Sequence, residues 1–460
     1  QQPTAIGEPL HPRQQLPRAG VVEEVLRARL LRRVGEGVQP DDLGAVACQG
    51  FQGLLVEIQH QGGLDVQVHL AEVPAALLEV VDDGGAVCAE AAEVEFGRRT
   101  SGVQLGVDLG RQRVGRQLEH LPAQSLNDLH LPDARLGLYA WALVSDHQAA
   151  TSQLVFHPSL AVAERERLIE LFAQPAQTEP GTFSLKHPMQ PDISAEFYQH
   201  ALQKIQHYIQ AGDCYQVNYT QRFSAPCEGD PWAAYCALRE ACPTPFSGFV
   251  SLPEDTAILS LSPERFVHVS QNQVETRPIK GTRPRGQNPA EDAANAAQLL
   301  ASTKDRAENL MIVDLLRNDL GRTCRTGSVS VPQLIALESY PNVHHLVSSV
   351  VGELAPGKDA LDLIGDSFPG GSITGAPKIR AMQIIDELEP TRRSIYCGSL
   401  LYLDVRGEMD SSIAIRSLLI KDGRVNCWGG GGIVADSDWH DEYQESITKV
   451  KVLLDTLQTL

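Results

Sequence analysis

Lys280 is the first residue whose surroundings in the sequence suggest chemistry. It stands in VETRPIKGTRPRG, residues 274–286, beside Arg277, Arg283 and Arg285. Pro278 and Pro284 stiffen the backbone around a Gly281-Thr282 step. An ammonium held near a second cation, or among apolar groups, gives up its proton more readily. The neutral amine that remains is a nucleophile. An exposed basic loop would also account for the run, so the residues alone permit a covalent role for Lys280 without requiring it.

Carboxylates come next. In STKDRAENLMIVDLLRNDLGR, residues 302–322, Asp305 and Glu308 lie three apart on an expected helix and share a face. Glu442 and Glu445 repeat that spacing in SDWHDEYQESITKVKVLLDTL, residues 437–457. Two such pairs offer oxygen ligands of the kind a hard cation uses. Mg2+ takes few protein carboxylates and leaves positions for water and substrate oxygens. Each pair alone also reads as an ordinary solvated helix face. Two glycine-bearing segments, WGGGGIVADS (428–437) and FPGGSITGAPK (368–378), offer backbone N–H groups to an anion. The second lacks the P-loop spacing. His344 and His345 precede a strand-like run, and Arg416 falls at an alternating position in IAIRSL.

The elements that must hold these groups alternate between helix and strand patterns. Ser194 can cap a helix over 195–210 that Gly212 ends, with Phe197, Ala201, Ile205, Tyr208 and Ile209 on one face. Further helices are expected over 290–318, 374–388 and 438–459. Strands are expected at GLYAWALV, CYQVNYTQRFSA, AILSLS, RFVHVS, NQVETRPI, SLLYLDV, SSIAIRSLLI and GRVNCWGGGG. Antiparallel hairpins with helices grouped between them indicate an α+β fold.

The chain has 460 residues and a formal charge of -19. That charge argues against nucleic acid, which needs a basic face. No stretch reaches the roughly 18 apolar residues of a membrane span, and no signal-peptide pattern opens the chain. The nine cysteines form no C-x-x-C pair, so reduced thiols and a cytoplasmic location are expected. Residues 1–116 form an anomalous segment. Phe51 and Phe96 are the only aromatics before Tyr139, and the first lysine is Lys186. Poor packing and translation in a shifted frame both account for that texture. Residues 117–190 read as the remainder of an N-terminal subdomain, with a Pro- and Gln-rich linker at 173–192, and 191–460 as the catalytic domain.

The motifs then gain weight from their order. GDCYQVN (212–218), LSPERF (261–266), RPIKGTRPRG (277–286), KDRAENLMIVDLLRNDLGR (304–322), HHLVS (344–348), FPGGSITGAPKIRAMQIIDELEP (368–390) and GGGIVADS (430–437) together resemble the chorismate-utilising enzymes. The resemblance runs from about residue 117 to the C-terminus. It implies two facing, mostly antiparallel β-sheets wrapped by helices, with the active site between them. It implies chorismate as substrate and Mg2+ as cofactor, with Glu308 and Glu445 as metal ligands supported by Asp305 and Glu442. Arg416, Lys449, Tyr402 and the backbone of Gly430, Gly431 and Gly432 resemble the site for the substrate's carboxylates. Ser372 and His345 match ring-contacting positions, and Glu264 matches a general acid. Lys280 matches the lysine that attacks C2 of chorismate in the branch making 4-amino-4-deoxychorismate, a precursor of p-aminobenzoate. The anthranilate-forming branch carries alanine there. The branches that activate water carry lysine where Gln216 stands. Ammonia is expected from a glutaminase partner, because the chain has no G-x-C-x-G nucleophile turn. An anthranilate-forming enzyme and an inactive chorismate-binding subunit are the competing expectations.

Overall fold

The computed structural model describes residues 54–61, 65–72, 92–95, 124–137, 139–147, 149–174, 181–340 and 343–460. The expectation of an anomalous segment over 1–116 therefore falls outside the described residues, three strands excepted. Contacts divide the chain into two units, residues 1–106 with 136–175 and residues 107–135 with 176–460. This grouping cuts across the boundary expected near 190.

The first unit holds a five-stranded antiparallel sheet. Its order is Asp65–Glu72, Leu54–Gln61, Thr151–Phe156, Trp141–Asp146, Ala92–Glu95. The GLYAWALV strand begins only at Trp141. The helix Val162–Ala173 buries Leu168 against Leu154 and Phe156.

The second unit contains two antiparallel sheets. The first runs Gly375–Ala376, Gln216–Gly229, Arg424–Ile433, Ser417–Lys421, Thr256–Ser262, Phe246–Leu252. Phe183–Leu185 and Gln190–Pro191 also pair with Gln216–Gly229. The second sheet runs Ile279–Pro284, Val343–Glu353, Gln273–Thr276, Arg265–Ser270, Met409–Ile413, Ser399–Leu403, with Ser330–Ser339 on the other edge of Val343–Glu353. The expected α+β class is the class observed.

The chain crosses between these sheets at two short connections. Pro263 and Glu264 link Thr256–Ser262 to Arg265–Ser270, and Ala414 to Arg416 link Met409–Ile413 to Ser417–Lys421. The crossings are bonded to each other. Ile413 N donates to the Glu264 carbonyl at 3.0 Å, Leu261 N to the Arg416 carbonyl at 3.0 Å, and Ser262 Oγ to the Ile413 carbonyl at 2.6 Å. The alternating SSIAIRSLLI segment is thus two strands of different sheets. Arg416 sits at the break with φ +49°, a left-handed conformation that few non-glycine residues adopt.

Helix boundaries follow their caps. Ala195–Gln210 begins where Ser194 Oγ accepts from Phe197 N at 3.2 Å and ends before Gly212 at φ +83°. It buries Tyr198, Ala201, Leu202 and Ile205, while Phe197 faces solvent, so the buried face is rotated from the expected one. The helix expected over 290–318 is two, Pro289–Ala301 and Thr303–Gly321. Ser302 breaks the run with extended backbone, and its Oγ accepts from Asp305 N at 3.2 Å to start the second helix. The C-terminal helix likewise divides into Trp439–Thr448 and Lys451–Gln458. Leu316, Leu320, Phe266, Val350 and Trp428 belong to the core cluster beneath the Thr303–Gly321 helix. Burying such side chains contributes about 1.5–3 kcal/mol each.

Candidate active site

Lys280 lies on the Ile279–Pro284 strand opposite Leu346. The next residue, Gly281, takes φ +82° and interrupts the pairing register. A Cβ there would stand 2.9 Å from the Asp305 Cβ and 3.0 Å from Leu299, so conformation and space both call for glycine. The three arginines of this stretch are each engaged by an acidic side chain. Arg277 pairs with Glu338, Arg283 with Asp305 at 3.3 Å, and Arg285 with Asp292 at 2.8 Å. Lys280 instead donates to the Ser372 carbonyl at 3.2 Å.

Part of the Lys280 side chain still meets solvent, but its amine is densely enclosed. Desolvation is the main cause that holds the amine below its ordinary pKa. Glu308 opposes that shift, Lys449 reinforces it, and Glu264 and Glu445 oppose it. Of the two causes expected, a neighbouring cation or enclosure, enclosure is the larger, and the neighbouring cation is Lys449 rather than Arg277 or Arg283.

Glu264 sits at the first crossing between the sheets and is 5% exposed. Burial pushes its carboxyl up to about 7, against the stabilising influence of Ser372, Lys280 and Lys449 on the charged form. The Ser372 hydroxyl is near enough for that influence, yet it is buried without a hydrogen-bond partner. A carboxyl that titrates near neutrality can hold and release a proton.

The remaining carboxylates gather over the glycine tract. Gly430, Gly431 and Gly432 lie within the Arg424–Ile433 strand, paired with Thr220, Tyr219 and Asn218. The strand expected at GRVNCWGGGG is thus observed. The neighbouring Ser417–Lys421 strand ends its pairing at Cys427, so the other edge of the tract has no strand partner among the described residues. A Cβ on Gly431 would lie 3.0 Å from Glu442 Oε2, 3.4 Å from Glu445 Oε1 and 3.6 Å from Lys449 Nζ. The fourth glycine, Gly429, has a packing reason: its Cβ would meet the Ser446 carbonyl at 2.2 Å.

Lys449 bridges the tract to the helix, with Nζ 3.0 Å from the Gly430 carbonyl and 2.6 Å from Glu445 Oε1. Burial alone would raise the Glu445 carboxyl, but Lys449, Lys304 and Lys280 outweigh it and hold it below its ordinary value. Burial raises both Glu308 and Glu442. Glu442 accepts from Ser437 Oγ at 2.7 Å and lies 3.6 Å from Lys304.

Not every expected residue joins this group. Asp305 shares the helix face but turns to Arg283. Tyr402 is 45% exposed on the edge strand Ser399–Leu403. Desolvation raises its pKa, and its charged neighbours are Asp410, Arg265, Asp404 and Glu408. His345 is buried, with Nδ1 2.9 Å from Thr282 Oγ1. Burial, then the nearby Arg416, pushes it down to about 4, so it is neutral at pH 7. His344 is tied to Ser339 and Asp292 and holds the basic stretch in place. Gln216 is wholly buried with neither end of its amide hydrogen-bonded, and its Nε2 lies 2.1 Å from where a Cβ on Gly432 would stand.

Sequence reasoning missed Asn218, Glu389 and Arg393. Arg393 donates to both Glu389 oxygens at 2.9 and 2.6 Å, to the Asn218 carbonyl at 2.7 Å and to the Ile373 carbonyl at 2.9 Å. These bonds fix the turn that carries Ser372. Polar residues at inward positions of the Gln216–Gly229 strand were the available signal.

A separate cavity of about 850 Å³ is lined by Asp128, Asp192, Arg222, Lys421 and Trp428 among others. It includes none of the residues gathered around Lys280, so the chemistry is assigned by the enclosed charges rather than by the cavity.

The donor set is oxygen-only. Among the described residues no three His, Cys, Asp or Glu side chains are arranged to hold a metal by themselves. Glu308 and Glu445 act on each other electrostatically, and both act on Lys280. Two carboxylates with room for substrate oxygens fit the modest protein ligation of Mg2+.

A family model described as chorismate binding enzyme matches residues 106–455. Aminodeoxychorismate synthase component 1 of Klebsiella aerogenes is 50% identical over 346 residues, 75% of each chain. The protein of that name from Escherichia coli K12 is 49% identical over 345 residues, again 75% of each chain. Among solved structures, anthranilate synthase component I from Streptococcus pneumoniae TIGR4 is 27% identical. It matches with a TM-score of 0.67, over 96% of this chain and all of that one.

Proposed function

We propose a reaction from one premise: the chain belongs to the chorismate-binding enzyme family. It converts chorismate and ammonia to 4-amino-4-deoxychorismate and water. The observation that carries this reading is Lys280, an enclosed amine of lowered pKa that is bonded to a carbonyl rather than paired with a carboxylate. Its relatives at about half identity carry the corresponding name.

The neutral Lys280 amine forms a bond to C2 of chorismate. Both ring double bonds shift, the C4–O bond breaks, and Glu264 gives its proton to the departing hydroxyl, which leaves as water. Ammonia then forms a bond to C4, the double bonds shift back, and the C2–Lys280 bond breaks. The amine is restored, and the proton released by ammonia returns to Glu264. Lys449, Arg416 and the edge of Gly430 to Gly432 that has no strand partner among the described residues bind and orient the substrate's carboxylates, and Ser372 and His345 border the ring. His345 does so as a neutral imidazole.

Glu308 and Glu445, with Glu442 behind them, are the residues that would hold Mg2+. That ion would offset the repulsion between a carboxylate of the substrate and an acidic protein. A separate glutaminase subunit supplies ammonia, in p-aminobenzoate and folate synthesis. No helix among the described residues is long and apolar enough to cross a membrane. All seven cysteines among those residues are free thiols, which supports a cytoplasmic setting.

The test is turnover of chorismate with ammonium and Mg2+, with products separated by mass. The chain should make aminodeoxychorismate, and Lys280→Ala should lose that product and make anthranilate instead. A variant that makes no anthranilate would count against this role for the lysine.

A further inference from the structure

Two donors meet at one carbonyl oxygen. Lys280 Nζ lies 3.2 Å from the Ser372 oxygen, and Asn218 Nδ2 lies 3.1 Å from it. A carbonyl oxygen has two lone pairs and can accept both. Only the amino end of the Asn218 amide can face an acceptor, so the orientation of that amide follows from its partner. We propose that Asn218 is a positioning residue for Lys280: its side chain fixes the Ser372 carbonyl, and the fixed carbonyl sets the amine.

The backbone of residue 218 already ties the strand to the turn without help from the side chain. Asn218 N donates to the Thr374 carbonyl at 2.8 Å, and the Asn218 carbonyl accepts from Arg393 at 2.7 Å. Arg393 also holds the Ile373 carbonyl at 2.9 Å. What the side chain adds is one bond, to the same oxygen that Lys280 uses. Space is left for it by Gly432, where a Cβ would come 3.2 Å from Asn218 Oδ1. The side chain is 7% exposed, so water does not stand in easily for its amide.

The consequence concerns a flexible stem. Lysine reaches its amine through four carbons and holds no preferred direction by itself. A neutral amine has two N–H bonds and one lone pair. Giving one N–H to a fixed carbonyl turns the lone pair away from that carbonyl, so the attacking direction depends on where Ser372 is held. A misplacement of about 1 Å can lower a rate on the order of 10²-fold.

This inference rests on the reaction proposed above, and its test separates the two. Asn218→Ala and Asn218→Asp would be made in the full chain and assayed with chorismate, ammonium and Mg2+. Asp keeps the shape but cannot donate when ionised, so it decides the matter if the Ala variant fails to fold. The expected result is a fall in kcat on the order of 10²-fold with KM for chorismate little changed. In a Lys280→Ala background, adding Asn218→Ala should not slow the remaining turnover further. An unchanged kcat in both single variants would overturn the proposal. So would a rise in KM that accounts for the whole loss, or a full repeat of the loss without the lysine. Absence of aminodeoxychorismate from the unaltered chain would overturn the reaction itself, and this inference with it.

Discussion

Two sets of buried charge in the same unit are treated in opposite ways. The Arg393 guanidinium is satisfied on every side, by both Glu389 oxygens and two backbone carbonyls. Glu389 further accepts from the Thr220 N–H and hydroxyl at 3.0 and 2.9 Å. Lys280 and Glu264 are also enclosed, but the lysine bonds a neutral carbonyl and the glutamate keeps a raised pKa. A buried ion is tolerated when its partners meet it within hydrogen-bond distance. When they stand only near it, the cost of desolvation remains and shifts its proton affinity. The first arrangement fixes the fold. The second leaves two groups ready to exchange protons or form bonds with a ligand.

The comparison is broken most severely by Arg393→Met. Glu389 would be left buried without its cation, and removing one partner of a buried pair costs about 3–5 kcal/mol. Denaturant unfolding would register that loss, and turnover would fall with it because the Ser372 turn loses its anchor. Glu264→Gln makes the opposite test. Stability should hold, while kcat falls by about 10²–10⁴-fold, the usual contribution of a general acid.

A third test uses pH. Glu264 binds its proton more tightly in the folded chain than in the unfolded one. Its folded pKa is about 7, against an ordinary value of 4.5. The folded state therefore holds the extra proton between those values, and the stability contributed by Glu264 falls as pH rises through that window. Above about 7 the group is ionised in both states and the slope ends. Urea unfolding at several pH values should show this slope in the native chain and lose it in Glu264→Gln. The same group gives kcat/KM a decline as pH rises through 7, and Glu264→Gln should flatten it. The smallest effect belongs to Arg285→Ala. The Arg285 side chain is itself 36% exposed and Asp292 keeps its bonds to Gly286 and His344, so the melting temperature should barely move.

Much of the site was legible because its residues carry chemical types at helical or strand spacing. Glu308 and Glu445 stood out by helical spacing and Lys280 by its basic, proline-flanked stretch, while Lys449 entered only through the family resemblance; the four act on one another in the structure. Asp305 shows the limit of spacing. It shares a face with Glu308, yet Arg283 captures it from the Ile279–Pro284 strand, which the helix pattern does not include. Ser302 marked a helix start as plainly as Ser194 did, but it lay inside one long amphipathic run. The break at Arg416 had no signal, because arginine does not mark a left-handed turn as glycine does. Asn218 and Arg393 were missed for a different reason. Their roles depend on bonds to a turn 154 and 20 residues away, and no local pattern encodes a partner at that distance.

The pairing of Gln216–Gly229 with Arg424–Ile433 bears on when this site first comes into being. Arg424 bonds Ser224 across 200 residues of sequence. On a ribosome, Glu264 and Lys280 are made long before the glycine tract and Glu445. A growing chain therefore carries Lys280 before the Arg424–Ile433 strand of the other sheet has been made. Contacts so distant in sequence close late and slowly. The pKa of Lys280 is lowered by burial together with Lys449, a residue that follows it far along the chain, so the amine acquires its reactivity only after that later segment has been made and packed.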